Sequence, residues 1–258
     1  MTAILKLGQS THTPARSDRE TMQFISSKAR VKAFFEGESI ILGSSTIGVK
    51  SLIGRNVIVA YPTKKKLQGF LFSKSFSIEK FDQISAGAKI GNNCIVRSGT
   101  VIYENVTIGD WVETGHNVLI REGSTVGNKT RIGSSAQLDG EVKIGKNVSV
   151  QSNAYLPHLT VIEDDVFIAP NVVFTNDLYP PSRRRTGVVV GKGATIGANA
   201  CIIVPAKIGE GSVVGAGSLV TRDVPKGVVA IGVPARSRFS ADEYNRKKAR
   251  WEKGAKRS

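Results

Sequence analysis

The sequence predicts an all-β solenoid of short flat strands joined by tight corners, with one inserted loop and a short C-terminal α-helix. Three observations carry this. Starting at Ile84, every sixth residue belongs to one apolar series, Ile84, Ile90, Val96, Ile102, Ile108 and on to Phe174, broken only by Thr114. The series resumes at Val190 and runs through Ile196, Ile202, Ile208 and Val214 to Val220. Four residues after each anchor stands a small or β-branched residue, from Ala88, Cys94 and Thr100 to Val224, and all twenty-one complete hexads obey. Ten anchors are followed at once by Gly.

A period of six fits neither a heptad nor an amphipathic helix. Each small residue lies two before the next anchor, so the two share one face of a strand. Glycine supplies the corner conformations that other residues avoid. Stacked coils then bury one continuous apolar column, as repeat proteins do.

The pattern resembles the left-handed parallel β-helix of the hexapeptide-repeat acyltransferases, over roughly 41–236. The resemblance implies three hexads per triangular coil and a homotrimer. Residues eighteen apart should then stack, and the sequence supports this independently. Ile84, Ile102, Ile120, Leu138, Leu156 and Phe174 form one column, none followed by Gly, whereas Ile90, Ile108, Val126 and Ile144 all are. Ile202 and Val220 again lack the Gly, so face identity survives the interruption after Phe174.

Taken in order, residues 1–40 read as an N-terminal arm or cap, for the hexad rule is absent there. Residues 41–83 read as a first irregular coil on Ile41, Ile47, Ile53 and Val59. A basic loop from Tyr61 to Leu71, with Pro62 and Lys64 to Lys66, leaves it, and Phe72 and Ile78 keep the six-residue step into Ile84. The main β-helix is expected over 84–236, with an inserted loop at 175–189 whose two prolines and Arg183-Arg184-Arg185 make it an exposed arm. Residues 237–258 read as a basic helix and tail. Ser240, with Glu243 three later, marks the helix start, which should run to about Lys253 and cover an open sheet edge.

The chain has 258 residues and a net charge of +15. Such a balance attracts polyanions. Much of the excess lies outside the coils, however, and no nucleic-acid motif accompanies it, so small phosphorylated ligands are the expected partners rather than nucleic acid. No apolar run is long enough to span a membrane, no signal-peptide core is present, and nothing demands an oxidising compartment. The expected location is cytoplasmic. Cys94 falls on an inward small position and Cys201 on an outward one, and neither has metal-ligand spacing.

Of the three histidines, His12 lies in the unpatterned arm. His116 sits two past an anchor, stacked with Ser98, Ser134 and Ser152; His158 sits two past Leu156, stacked with Glu122, Gly140 and Asn176. Neither occupies an inward position. Each is either an ordinary exposed histidine or a base, and a lone histidine does not separate the two.

Val150-Gln151-Ser152-Asn153, Glu163-Asp164-Asp165-Val166-Phe167 and Phe174-Thr175-Asn176 are similar to the branch that N-acetylates nucleotide-linked amino sugars for surface glycans. The galactoside O-acetyltransferases carry a histidine at the loop root, where this chain has Asn176-Asp177. The resemblance implies grooves between neighbouring prisms, acetyl-CoA as donor and an amine as acceptor, with no metal. An unprotonated amine needs less activation than a hydroxyl. The implied catalytic group is His116 or His158 with Asn153 and Asn176. The implied substrate set is Asn117, Arg121, Glu122, Gln151, Asp177, Tyr179 and Arg183. Acetyl-CoA would lie along Ala198, Gly215 and Ala216, with Arg222, Lys226 and Arg236 for its phosphates. The alternatives are O-acetylation of a sugar, a non-catalytic structural β-helix, and a carbonic-anhydrase-like metal hydratase. The last needs histidines closer in sequence than His116 and His158.

Overall fold

Most anchors end a two-residue strand that pairs in parallel with the strand one coil away. The computed structural model describes residues 23–70 and 77–254. Its strands form three sheets of ten, nine and eleven strands, here sheets 1, 2 and 3. The chain visits them in rotation. Sheet 1 pairs Ile102 with Ile120 and Leu138 with Leu156. Sheet 2 pairs Ile108 with Val126, and sheet 3 pairs Thr114 with Ile132. The eighteen-residue register predicted from the hexads is thus the observed one. It also holds across the insertion, where Ile162 pairs with Val190 and Phe174 with Ile202.

The core is the column the hexads predict. Ile102, Ile120, Leu138, Leu156, Ile168 and Phe174 are fully buried, as are the small partners Cys94, Thr100, Ala136 and Ala194. Burying each large aliphatic chain contributes roughly 1.5–3 kcal/mol. Buried hydroxyls are satisfied by the neighbouring coil: Thr130 Oγ1 donates to the Gly145 carbonyl at 2.9 Å, and Thr100 Oγ1 to that of Gly115 at 3.3 Å. Among the described residues no buried side-chain nitrogen or oxygen lacks a partner.

The corners use left-handed backbone three residues past the anchor. Asn93, Asn105, Asn117, Asn147, Asn153, Asn171 and Asn199 all have φ between 54° and 60°. Asn tolerates this region better than other non-glycine residues. Asn117 and Asn153 therefore have a structural reason to be asparagine, whatever else their exposed amides do.

Two expectations are corrected. Ile78 and Ile84 are not hexad anchors. They bound a helix, Ile78–Ile84, and Val59 takes the place in sheet 1 below Ile102 that the six-residue step gave to Ile84. The first turn of that helix is capped by Ser77, whose side chain accepts from Lys80 N. The basic stretch is a helix as well, Lys64–Phe70, rather than a loop; Phe72 lies outside the described residues. The two helices, α1 and α2, are fastened to the prism by Glu104. Its side chain is 1% exposed, and it accepts from Thr63 N (3.1 Å), Ala86 N (2.7 Å) and Lys66 Nζ (2.6 Å).

The coils also begin before Ile41. Phe24–Ile25, Arg30–Val31 and Phe34–Phe35 enter sheets 1, 2 and 3 in turn. His12 lies outside the described residues. At the far end, Val228–Gly232 and Ala235–Ser240 form an antiparallel hairpin on the edge of sheet 3. Helix α3, Ala241–Glu252, follows, with Ser240 Oγ accepting from Glu243 N at 3.2 Å.

Candidate active site

The outward face of sheet 1 carries a connected polar network where it turns toward sheet 2. Tyr103, Arg121 and Asp139 are each one residue past an anchor and eighteen apart, so the coil stacks them. Arg121 donates from Nη1 to Asp139 Oδ1 (2.7 Å) and grips Glu122 through Nε (3.2 Å) and Nη2 (2.8 Å). Its guanidinium carbon lies 5.6 Å from the centroid of the Tyr103 ring. Tyr155 donates its phenol to Asp139 Oδ2 at 3.0 Å. Burial opposes the Arg121 charge, but its bonds to Asp139 and Glu122 outweigh that and raise its pKa. Burial, seconded by Asp139, raises that of the Tyr155 phenol. The result is a fixed array of donors and acceptors at side-chain exposures near one third.

His158 adjoins this network at the corner from sheet 1 to sheet 2. It is half-buried, with Nδ1 3.2 Å from the Gly140 carbonyl and Nε2 4.0 Å from Glu141 Oε2. A carbonyl oxygen only accepts, so in the neutral ring the proton sits on Nδ1. Nε2, on the side of Glu141, then carries the lone pair that a general base requires. His116 lies on a different corner, from sheet 3 to sheet 1. It is exposed. Its backbone N–H donates to Ser134 Oγ at 3.1 Å. Within one chain the two histidines are not brought together.

Of the remaining expected residues, Asn117, Gln151 and Asn153 share the corner of His116. Gln151 lines a depression of about 200 Å³ with Arg97, Glu113 and Arg131, floored by Gly115 and Gly133. Asn176 and Asp177 stand at the root of the inserted loop. The Asn176 carbonyl accepts from Thr186 N at 3.0 Å and closes the loop's neck. Asp177 turns inward on the loop itself, accepting from Ser182 N (2.7 Å), Ser182 Oγ (2.7 Å) and Tyr179 N (3.1 Å). The Ser182 backbone bond, foremost, lowers its pKa. Gly187 returns the loop to the prism so closely that a Cβ there would collide with the Leu159 carbonyl. Tyr179, 79% exposed, and Arg183 project outward.

The residues expected to hold acetyl-CoA divide between two places. Ala198, Gly215 and Ala216 lie on the corner of His116, where Gly217 N donates to the Ala198 carbonyl at 2.8 Å. Arg222 and Arg236 line one depression of about 120 Å³ near the C-terminal end. Lys226 is instead paired with Glu210 at 2.7 Å. Among the described residues no three His, Cys, Asp or Glu side chains gather into a metal-holding group, and no helix is long and apolar enough to cross a membrane.

Sequence reasoning missed Tyr103, Asp139, Tyr155 and Glu141. The signal was present for the first two, since 103, 121 and 139 fall in one eighteen-residue column.

Comparison with known proteins bears on the fold. Residues 87–122 match the family described as bacterial transferase hexapeptide (six repeats), and residues 187–222 the hexapeptide repeat of succinyl-transferase. A 2,3,4,5-tetrahydropyridine-2,6-dicarboxylate N-acetyltransferase of Clostridium perfringens (strain SM101 / Type A) is 49% identical over 71 residues, 28% of this chain and 29% of that protein. A dTDP-3-amino-3,6-dideoxy-alpha-D-galactopyranose 3-N-acetyltransferase of Aneurinibacillus thermoaerophilus is 54% identical over 57 residues, 22% and 29% of the two chains. The alignments thus span 29% of the length of each of these two relatives. A UDP-N-acetylglucosamine acyltransferase structure from Campylobacter jejuni superposes with a TM-score of 0.54 at 18% identity, covering 86% of this chain and 83% of that one, which is a likeness of fold. The eighteen-residue register and the buried hexad column thus agree with the hexapeptide repeats of the transferase type matched at residues 87–122 and 187–222.

Proposed function

We propose that the chain is an acetyl-CoA-dependent N-acetyltransferase that acylates the amine of a nucleotide-linked amino sugar and works as a homotrimer. The observation that carries this is His158, its Nδ1 held by the Gly140 carbonyl one residue past Asp139 and its Nε2 4.0 Å from Glu141 Oε2. Both N-acetyltransferase relatives act on amines by name, and one of them on a dTDP-linked amino sugar.

In this reading His158 takes the proton as the amine nitrogen attacks the thioester carbonyl. The carbon–sulfur bond breaks, His158 passes that proton to the departing sulfur, and coenzyme A leaves as the thiol. A three-fold axis parallel to the stack keeps every residue at its own height. Coils spaced about 4.8 Å apart put His116 about 10 Å below His158. The partner corner level with His158 is therefore that of Gln151 and Asn153, so those amides place the acceptor and His116 stands outside the reaction centre. The inserted loop closes over the same groove, with Arg183 toward the diphosphate. The donor arm runs past Ala198 and Ala216, and Arg222 and Arg236 meet its phosphates.

Thiol release from acetyl-CoA, measured against a panel of nucleotide amino sugars, free amino sugars, hydroxyl sugars and amino dicarboxylates, tests the reading. Turnover with nucleotide amino sugars is expected. Turnover confined to hydroxyl sugars or to dicarboxylates would refute it.

A further inference from the structure

We infer that the outward wall of sheet 1, Tyr103, Arg121, Asp139 and Tyr155, recognises the sugar ring of the acceptor and determines which sugar is acetylated. This rests on the proposed function and assigns that site three residues that the acyl-transfer chemistry does not use: Tyr103, Asp139 and Tyr155.

The wall has the chemistry of a polyol site. A sugar ring offers hydroxyls that both donate and accept, and a C–H face that packs on an aromatic ring. Asp139 presents carboxylate oxygens whose orientation is fixed from two sides, by Arg121 Nη1 at 2.7 Å and the Tyr155 phenol at 3.0 Å. Arg121 spends three of its five N–H donors on Glu122 and Asp139, which leaves one on each of Nη1 and Nη2 for a ligand. Tyr103 braces the Arg121 guanidinium, 5.6 Å from its ring centroid, and is itself packed edge-on with Tyr61 at 5.2 Å between centroids. Such planar groups, already locked, lose little freedom on binding.

Charge argues against a phosphate at this position. Within the wall one guanidinium faces two carboxylates, Glu122 and Asp139, which favours a neutral polyol or an ammonium there, while a second cation, Arg185 of the inserted loop, lies within electrostatic reach of Tyr155. Position argues for the acceptor over the donor. Gly140, whose carbonyl holds His158, directly follows Asp139, so a ring on the wall would have its amine within reach of Nε2. At this row sheet 2 carries Gly91, Gly109, Gly127 and Gly145 before Glu163, and sheet 3 carries Gly115 and Gly133 between Arg97 and Gln151, so neither stacks polar side chains on three successive coils as Tyr103, Arg121 and Asp139 do.

Tyr155→Phe removes one hydroxyl and leaves the packing intact; Asp139→Asn removes the charge. Steady-state kinetics on both, with thermal melting as a check on folding, give the test. Tyr155→Phe is expected to lower kcat/KM for the preferred amino sugar about tenfold, the worth of one well-placed hydrogen bond. Its KM for acetyl-CoA should stay unchanged, and discrimination between acceptors epimeric at one hydroxyl should narrow. Unchanged acceptor kinetics and unchanged epimer ratios in a folded Tyr155→Phe protein would overturn the inference. So would a rise in acetyl-CoA KM alone, which would give the wall to the donor. A wild-type enzyme that acetylates amines but no sugar would overturn both this inference and the functional reading. Normal sugar acetylation with indifferent variants overturns the wall alone.

Discussion

Replacing Glu104 with alanine should open the α1–α2 insertion while leaving the rest of the solenoid closed. Glu104 is the shared acceptor for both ends of that segment, Thr63 N before α1 and Ala86 N after α2, and for Lys66 Nζ. Each backbone N–H left without an acceptor costs about 1–3 kcal/mol. Lys66 adds little to the loss, since its side chain is 37% exposed and keeps the Ile84 carbonyl at 2.7 Å. The expected cost is therefore about 2–6 kcal/mol, or roughly 30- to 20,000-fold in local opening. Hydrogen exchange on peptides covering Thr63 and Ala86 reads it directly. Solenoid coils contact only their neighbours, so coils near Val190 should keep wild-type protection. Burial pushes the Glu104 carboxyl up, but the Lys66 bond and the two backbone bonds outweigh it and hold its pKa below the usual range. Its contribution is accordingly complete above the unfolded carboxylate value of about 4.3 and lost as pH falls through the lower folded value. The gap between wild type and variant should hold at neutral pH and close only in acid. Unchanged exchange at both peptides would refute the reasoning.

Three further outcomes are expected. His158→Asn should lower kcat by about 10²–10⁴-fold, the usual worth of a general base, with His116→Asn leaving it in the same order of magnitude; the reverse pattern would displace the base to the other corner. Ala216→Trp, at an exposed corner, should weaken acetyl-CoA binding at least about tenfold by calorimetry without lowering the melting temperature; wild-type affinity would remove the donor from that corner. Replacing Arg183, Arg184 and Arg185 with serine should raise acceptor KM and flatten its dependence on ionic strength, since exposed cations act through screened attraction; unchanged KM would leave the loop's arginines without a substrate role.

The prism was legible because its constraint is local and repeated. Anchor, small residue and corner recur in one order, and a residue that breaks the rule has no buried place to go. The same rule misled at Ile78 and Ile84. A single step of six between two isoleucines is too short a run to show a period, and nothing in the spacing says that Val59 has already filled the column. The first coil was missed for the opposite reason. Ile25 pairs with Ile41 across a step shorter than eighteen, so periodicity cannot find it. The site was legible in part. Stacking placed His158 beside Gly140, and the structure adds the imidazole's orientation. Asp177 was readable as polar but not as the acceptor that shapes its own loop, which depends on where Ser182 returns. Asn153 drew notice as an amide, while its positive φ shows that the corner alone already asks for asparagine.

The central claim is that the acetyl group ends on a sugar nitrogen. Incubating the protein with acetyl-CoA and a nucleotide-linked amino sugar that also bears free hydroxyls, and then locating the acetyl group by mass spectrometry and NMR, tests it most directly. The account predicts a single acetyl in an amide that survives mild alkali. An alkali-labile ester on a hydroxyl, with the amine left free, would contradict it.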